Sequence, residues 1–156
     1  MKKHVCSWIV AAILLSAPVA SLAQGSFGIG IIVGEPTGVS AKIWLSQRSA
    51  IDLAAAWSFA DETALHIHGD YVTHFFDLLS VSKGSLPLYA GVGARVKFGE
   101  NDDYIGIRIP VGLAYLFEGV PLDVFLEVVP LLDVAPDTEF TLNAAIGVRY
   151  FFGAKR

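Results

Sequence analysis

From residue 25 onward, hydrophobic and polar positions alternate with a period of two, the repeat of a half-buried strand rather than a helix. Phe27, Ile29, Ile31 and Val33 share one face of a first segment, with Gly28 and Gly30 opposite. Val39, Ala41, Ile43 and Leu45 oppose Ser40, Lys42 and Trp44 in a second. The third sets Ile51, Leu53, Ala55, Trp57 and Phe59 against Asp52, Ala54, Ala56 and Ser58. A fourth sets Leu65, Ile67, Gly69 and Tyr71 against His66, His68 and Asp70. The same alternation returns over 86–98, 105–115, 122–128 and 140–152. Turn-forming residues at 34–38, 46–49, 60–63, 99–103, 118–119 and 135–137 separate most of these segments. The pattern therefore predicts eight strands in an antiparallel meander. The long connection 74–85 differs, because Phe75, Phe76, Leu78 and Leu79 predict a short amphipathic helix or a packed plug.

The two faces differ sharply in chemistry. No charge falls on the apolar face of any segment, whereas Lys42, Asp52, Asp70, Arg95, Lys97, Arg108, Asp123, Glu127 and Arg149 all lie on the other. A soluble sandwich would turn the apolar face inward. The glycines argue otherwise, since Gly28, Gly30, Gly91, Gly93, Gly106, Gly112 and Gly147 also lie on the charged face. A narrow barrel lumen needs such small residues to make room for long charged ones. The polar face is read as interior and the apolar face as lipid-facing, where a charge at the midplane would cost roughly 2–4 kcal/mol. The fold class expected is all-β, an eight-stranded antiparallel transmembrane β-barrel of up-and-down topology, whose closed ladder satisfies every backbone group in lipid. Aromatic residues near segment ends, Trp57, Phe59, Tyr71, Phe98, Tyr115, Phe117, Tyr150 and Phe152, are read as interfacial girdles. Pro110 falls within a segment of a ring that has no edge, so a bulge is expected there, with an unpaired carbonyl on the neighbouring strand.

Composition agrees with this picture and adds an address. The 156 residues suffice for one domain; 54% are hydrophobic and 17% charged, which excludes a disordered chain. After residue 24 no apolar run reaches the 18 or more residues of a spanning helix. Lys2 and Lys3, the apolar run of 5–17 and the small residues of Ser21-Leu22-Ala23 read as a signal peptide over 1–23, cleaved before Gln24. The barrel domain is then 24–156. Losing Lys2 and Lys3 makes the net charge of −4 two units more negative, which argues against nucleic acid as a partner. Cys6 also departs, and with it any thiol nucleophile, disulfide or cysteine-ligated metal.

The closing Val148-Arg149-Tyr150-Phe151-Phe152 resembles the C-terminal signature of outer-membrane barrels. Together with Ile107-Arg108-Ile109-Pro110-Val111-Gly112 and Val124-Phe125-Leu126-Glu127-Val128-Val129-Pro130, it makes the chain similar to the small OmpA/OmpX-like barrels. The likeness is greatest to the mostly uncharacterised subgroup first described from spirochaetes. It implies location in the outer membrane of a diderm bacterium, with lipid and the barrel assembly machinery as partners. Some members in pathogens bind host complement regulators through surface loops. Here the turns on the side away from the termini, near 34–38, 60–64, 99–103 and 131–138, are all short, and the long 74–85 connection would face the periplasm.

Three constellations are candidates for chemistry. His66, His68 and Asp70 alternate on one strand face, with His74 further along, and imidazole with carboxylate can ligate a metal. The simpler reading is a lumen hydrogen-bond network with Arg95 or Lys97 on the next strand. Arg108, Glu127 and the nearby Asp123 would form a gate or narrow ion path, or else an internal ion-pair core of a barrel too narrow to conduct. Loss of Arg108 is expected to leave Asp123 and Glu127 unpaired. Ser58 and Asp52 share the lumen face with His66 and His68, the residue types of a hydrolytic triad, but no Gly-x-Ser-x-Gly elbow accompanies them. The function expected is a monomeric, non-catalytic outer-membrane barrel without cofactor or bound metal, with a structural or surface-interaction role. The alternative is a binding protein that takes a host or envelope protein, or a small ligand, at its surface turns or lumen. A lipid-modifying enzyme comes third.

Overall fold

A computed structural model describes residues 27–58, 64–99 and 102–152. The expected signal peptide, the side chain of Ser58, Phe59 and the whole 60–63 turn lie outside the described residues. The strands are β1 (Phe27–Gly34), β2 (Thr37–Trp44), β3 (Ser49–Ser58), β4 (Ala64–Phe75), β5 (Leu88–Phe98), β6 (Asp103–Arg108), β7 (Val111–Leu116), β8 (Leu122–Ala135) and β9 (Glu139–Phe152). No helix occurs among the described residues.

All pairings are antiparallel and they close into a ring. β1 lies between β2 and β9, and the order continues through β8 to β6 and β7, then β5, and back through β4 and β3. β6 and β7 are two halves of one stave, since both pair with β5 on one side and β8 on the other. The ring thus has eight staves, each running antiparallel to its neighbours. Apolar side chains point outward, as at Phe140 (68% exposed) and Val92 (56%), whereas Lys42 and Arg108 are fully buried inside. The alternation of each strand delivers this inversion, because successive side chains take opposite faces.

The expected bulge at Pro110 is corrected. Register runs unbroken past it on both sides: Ala90 opposes Val111 and Gly93 opposes Arg108, while Val111 opposes Val128 and Arg108 opposes Leu131. Regular strand is interrupted only at Ile109 and Pro110, where Gly91 N still donates to the Pro110 carbonyl (3.0 Å). Proline has no N–H to return the bond, so the Gly91 carbonyl loses its ladder donor, as the unpaired-carbonyl expectation required. The register shift lies instead between Ile105 and Gly106, where β8 carries the extra residue Val134.

Two loop assignments also change. β8 runs on to Ala135, which shrinks the 131–138 turn and puts Asp133 into the lumen. The 74–85 connection is neither helix nor plug. β4 continues to Phe75, and the segment beyond it follows bends with Leu78 and Leu79 exposed. Phe76 alone packs against the interior cluster. Gly84 turns the segment back at a φ of 72°, a left-handed conformation in which a Cβ would also strike the Leu116 carbonyl.

The glycines of the lumen face make room as the sequence implied. A Cβ at Gly93 would collide with Asp70 Oδ1, at Gly106 with Asp133 Oδ1, at Gly112 with the Tyr89 ring and at Gly147 with the Phe125 ring. Gly93→Leu is therefore expected to abolish the compact, fast-migrating form on unboiled gels, whereas Val92→Leu on the outer face leaves it intact.

Candidate functional site

The lumen is the one place where polar chemistry concentrates, and every charged group in it comes from the inward parity of a strand. Near the end where β1 begins and β9 ends, Lys42 of β2 reaches four neighbours. Its Nζ lies 3.3 Å from Asp52 Oδ1 and 2.9 Å from His74 Nε2, and it sits over the rings of Trp44 (4.9 Å) and Tyr89 (5.2 Å). The His74 ring stands 3.0 Å through Nδ1 from the Arg48 carbonyl, so Nδ1 carries the proton and Nε2 accepts from lysine. Arg149 of β9 then ties two walls together. Its Nε donates to Asp123 Oδ1 on adjacent β8 (3.0 Å), and its Nη1 reaches Asp52 Oδ1 on β3 (3.4 Å), three staves away. The guanidinium stacks 4.0 Å above the Phe125 ring.

Midway along, Arg108 clamps Asp70 of β4 through Nε and Nη2 at 3.0–3.2 Å and lies 3.6 Å from Glu127 Oε1. The other Glu127 oxygen accepts a 2.8 Å bond from Tyr89 Oη. Tyr89 thereby joins the two levels, its ring on Lys42 and its hydroxyl on Glu127. Toward the opposite end, Arg95 makes a bidentate pair with Asp133 at 3.0 and 2.6 Å. His66 Nε2 and His68 Nδ1 lie 3.0 Å apart, and His68 is 3.8 Å from Asp70. Lys97 is half-buried and faces His66 across the β4–β5 pair.

The predicted charge set thus converges on one lumen, with Lys97 at its margin. Its internal partners are partly redrawn. Asp123 belongs to Arg149 rather than Arg108, so loss of Arg108 would strand Asp70 and Glu127. Arg95 and Lys97 do stand opposite His68 and His66 in register, but the Arg95 guanidinium turns to Asp133. Asp52 engages Lys42 and Arg149, and the side chain of Ser58 lies outside the described residues. His66, His68, Asp70 and His74 share a strand face, yet Asp70 is taken by Arg108 and His74 by Lys42. Among the described residues no three His, Cys, Asp or Glu side chains come together as a metal site.

Sequence reasoning missed Asp133, Tyr89 and Trp44 as members of this network, and grouped His74 with His66 and His68 rather than with Lys42. Asp133 keeps the parity of Asp123 and Glu127, a signal masked by the apolar Val129 and Leu131 between them. Tyr89 carried its signal in Gly112, whose missing Cβ leaves space for the ring.

No protein-family model and no curated protein sequence matches the chain. Two solved structures share its fold. The N-terminal β-barrel domain of Pseudomonas aeruginosa OprF superposes with a TM-score of 0.61 at 16% identity, covering 83% of this chain and 100% of that one. A de novo designed transmembrane β-barrel gives a TM-score of 0.59 at 16% identity, covering 82% and 96% respectively. The fold is therefore that of eight-stranded transmembrane barrels, all-β and closed.

The pairing scheme predicts an order of effects. Arg149→Ala strands Asp123 and leaves Asp52 with Lys42 alone, and should cost about 3–5 kcal/mol, the scale for breaking a buried ion pair. Asp123→Ala leaves Arg149 still paired with Asp52 and should cost less, and Arg108→Ala should match Arg149→Ala. Urea midpoints in detergent micelles check the ranking.

Proposed function

We propose that this protein is an outer-membrane barrel whose job is structural or surface-interactive, with a closed lumen and no catalytic step. The observation that carries the reading is the linkage of non-adjacent walls by buried ion pairs. Arg149 joins Asp52 on β3 to Asp123 on β8, and Arg108 joins Asp70 on β4 to Glu127 on β8. An eight-stranded barrel encloses little more than its own side chains, and bridges across it occupy the path an ion would need. The outer face, apolar but for Asp103 at the rim end of β6 and a few small polar residues, supports lipid as the surrounding medium.

Membership of the OmpA/OmpX-like barrels, and of the subgroup first described from spirochaetes, rests on the 148–152 signature and is part of the same proposal. So are export by a signal peptide cleaved before Gln24, insertion by the barrel assembly machinery and a monomeric state. Any envelope or host protein that binds would meet the short, acidic turns bearing Glu35, Asp102, Asp137 and Glu139, which favours a basic partner surface.

Two measurements test the reading together. Protein from separated membrane fractions should appear in the outer membrane with a mobility that changes on boiling. Reconstituted into planar bilayers, it should give no discrete conductance steps. A soluble periplasmic protein without a heat shift would reverse the assignment of faces, and steady ohmic conductance would remove the closed lumen. Chelators should leave the heat-shift temperature unchanged, whereas a drop would restore a metal at His66 and His68.

A further inference from the structure

The two rims of the barrel differ in kind. Among the described residues the turns at one rim, 35–36, 99 with 102, and 136–138, expose the carboxylates of Asp102 and Asp137 and no large hydrophobic side chain. The rim where β1 begins and β9 ends also exposes carboxylates, Asp77 and Glu118, but adds apolar side chains to them. There the 76–87 segment exposes Leu78 (64%), Leu79 (41%) and Val81 (38%), and the neighbouring 117–121 turn exposes Phe117 and Val120. Apolar side chains outside the strands of a small protein call for a partner medium.

The segment is held in place, so these side chains are presented by the fold. Phe76 packs inward against His74. Arg48 bonds Asp77 at 3.1 Å, Tyr115 Oη donates to the Lys83 carbonyl at 2.8 Å, and Ser85 exchanges two backbone bonds with Leu116 at 3.0 and 2.8 Å. The apolar surface is also continuous with the lipid-facing wall. Phe75, the last residue of β4, faces outward, and Phe117 meets the outward Tyr115 edge to face with ring centroids 4.8 Å apart. Asp77, Ser80, Ser82 and Lys83 alternate with the leucines and valine, the mixture of a chain lying at a headgroup boundary.

We infer that the 76–87 segment, with Phe117 and Val120, is a collar that inserts Leu78, Leu79 and Val81 into the headgroup–acyl boundary of the adjoining phospholipid leaflet. It anchors that rim at a fixed depth, while the acidic rim stays in water. The inference rests on the membrane-barrel reading. A second copy of the chain would need an apolar partner surface of its own, and continuity with the lipid wall favours lipid.

The test uses a Cys6→Ser background, which has no other cysteine. Leu79→Cys and Leu126→Cys carry an environment-sensitive fluorophore in vesicles of phosphatidylcholine and phosphatidylglycerol. Leu126 lies on the outer wall and reports the barrel itself. With phospholipid brominated near the glycerol end, the Leu79→Cys probe should lose about half its emission and resist aqueous iodide. With bromines at mid-chain, the Leu126→Cys probe should be quenched. Quenching at 126 but only by iodide at 79 overturns the collar and leaves the barrel standing. Failure of lipid quenching at both sites overturns the barrel reading. Protection of 79 from both quenchers, with disulfide dimers forming in the unlabelled Leu79→Cys protein under oxidation, overturns lipid as the occupant in favour of a second copy. Leu78→Cys, the most exposed position, repeats the measurement should Leu79→Cys fold poorly.

Discussion

Eight staves enclose a space that only side chains can fill, and this chain fills it with charge. Each carboxylate and guanidinium in that space is removed from water, so each needs an opposite partner on another strand. The demand propagates outward. It requires strict parity along every strand, because one residue of slippage would carry Asp52 or Arg149 to the lipid face. It requires glycine at Gly93 and Gly106, where any side chain would displace the carboxylates of Asp70 and Asp133. It also leaves the wall free to be uniformly apolar. The same pairs that satisfy the interior therefore specify the register of the whole ring.

The weakest part of the ladder lies where two prolines meet. Pro110 cannot donate to Gly91, and Pro130 on β8 accepts from Ile109 (3.0 Å) without an N–H to return the bond. Both gaps flank one stave, at a level next to Arg108. The bidentate clamp of Arg108 on Asp70 spans β5, while its contact with Glu127 reaches β8. Side-chain bridges thus cross the two interfaces where backbone bonds are missing. The register passes Pro110 undisturbed on both sides.

How much of this was legible depended on the range of the signal. Inward and outward residues were set by period-two alternation, a purely local pattern, and the structure places Ile29, Val92 and Leu126 outside and Lys42, Asp70 and Arg149 inside as that pattern requires. Partner choice was not local. Arg108 and Asp123 lie on neighbouring staves, but Asp70, two staves away, wins the guanidinium because its carboxylate projects across the space left by Gly93. Strand ends were misjudged where apolar residues replaced polar ones, as at Asp133 beyond Leu131 and Leu132. Proline was read as a bulge because its lost hydrogen bond was visible in sequence, whereas the tolerance of the flanking pairs was not. The 74–85 connection carried an amphipathic composition whose helix reading failed once β4 claimed His74 and Phe75.

The pairing of β1 with β9 has a topological consequence. Phe27 opposes Phe152 and Gly34 opposes Ala145, a junction as regular as those made within hairpins. In the finished ring there is no first or last stave, only a place where the covalent chain happens to be open. That opening lies at the same rim as the turns at 45–48 and 117–121. Linear order is thus a property of synthesis and not of the fold. A gene beginning at β3 and joining β9 to β1 through a short linker would encode the same cylinder with its charges in the same places.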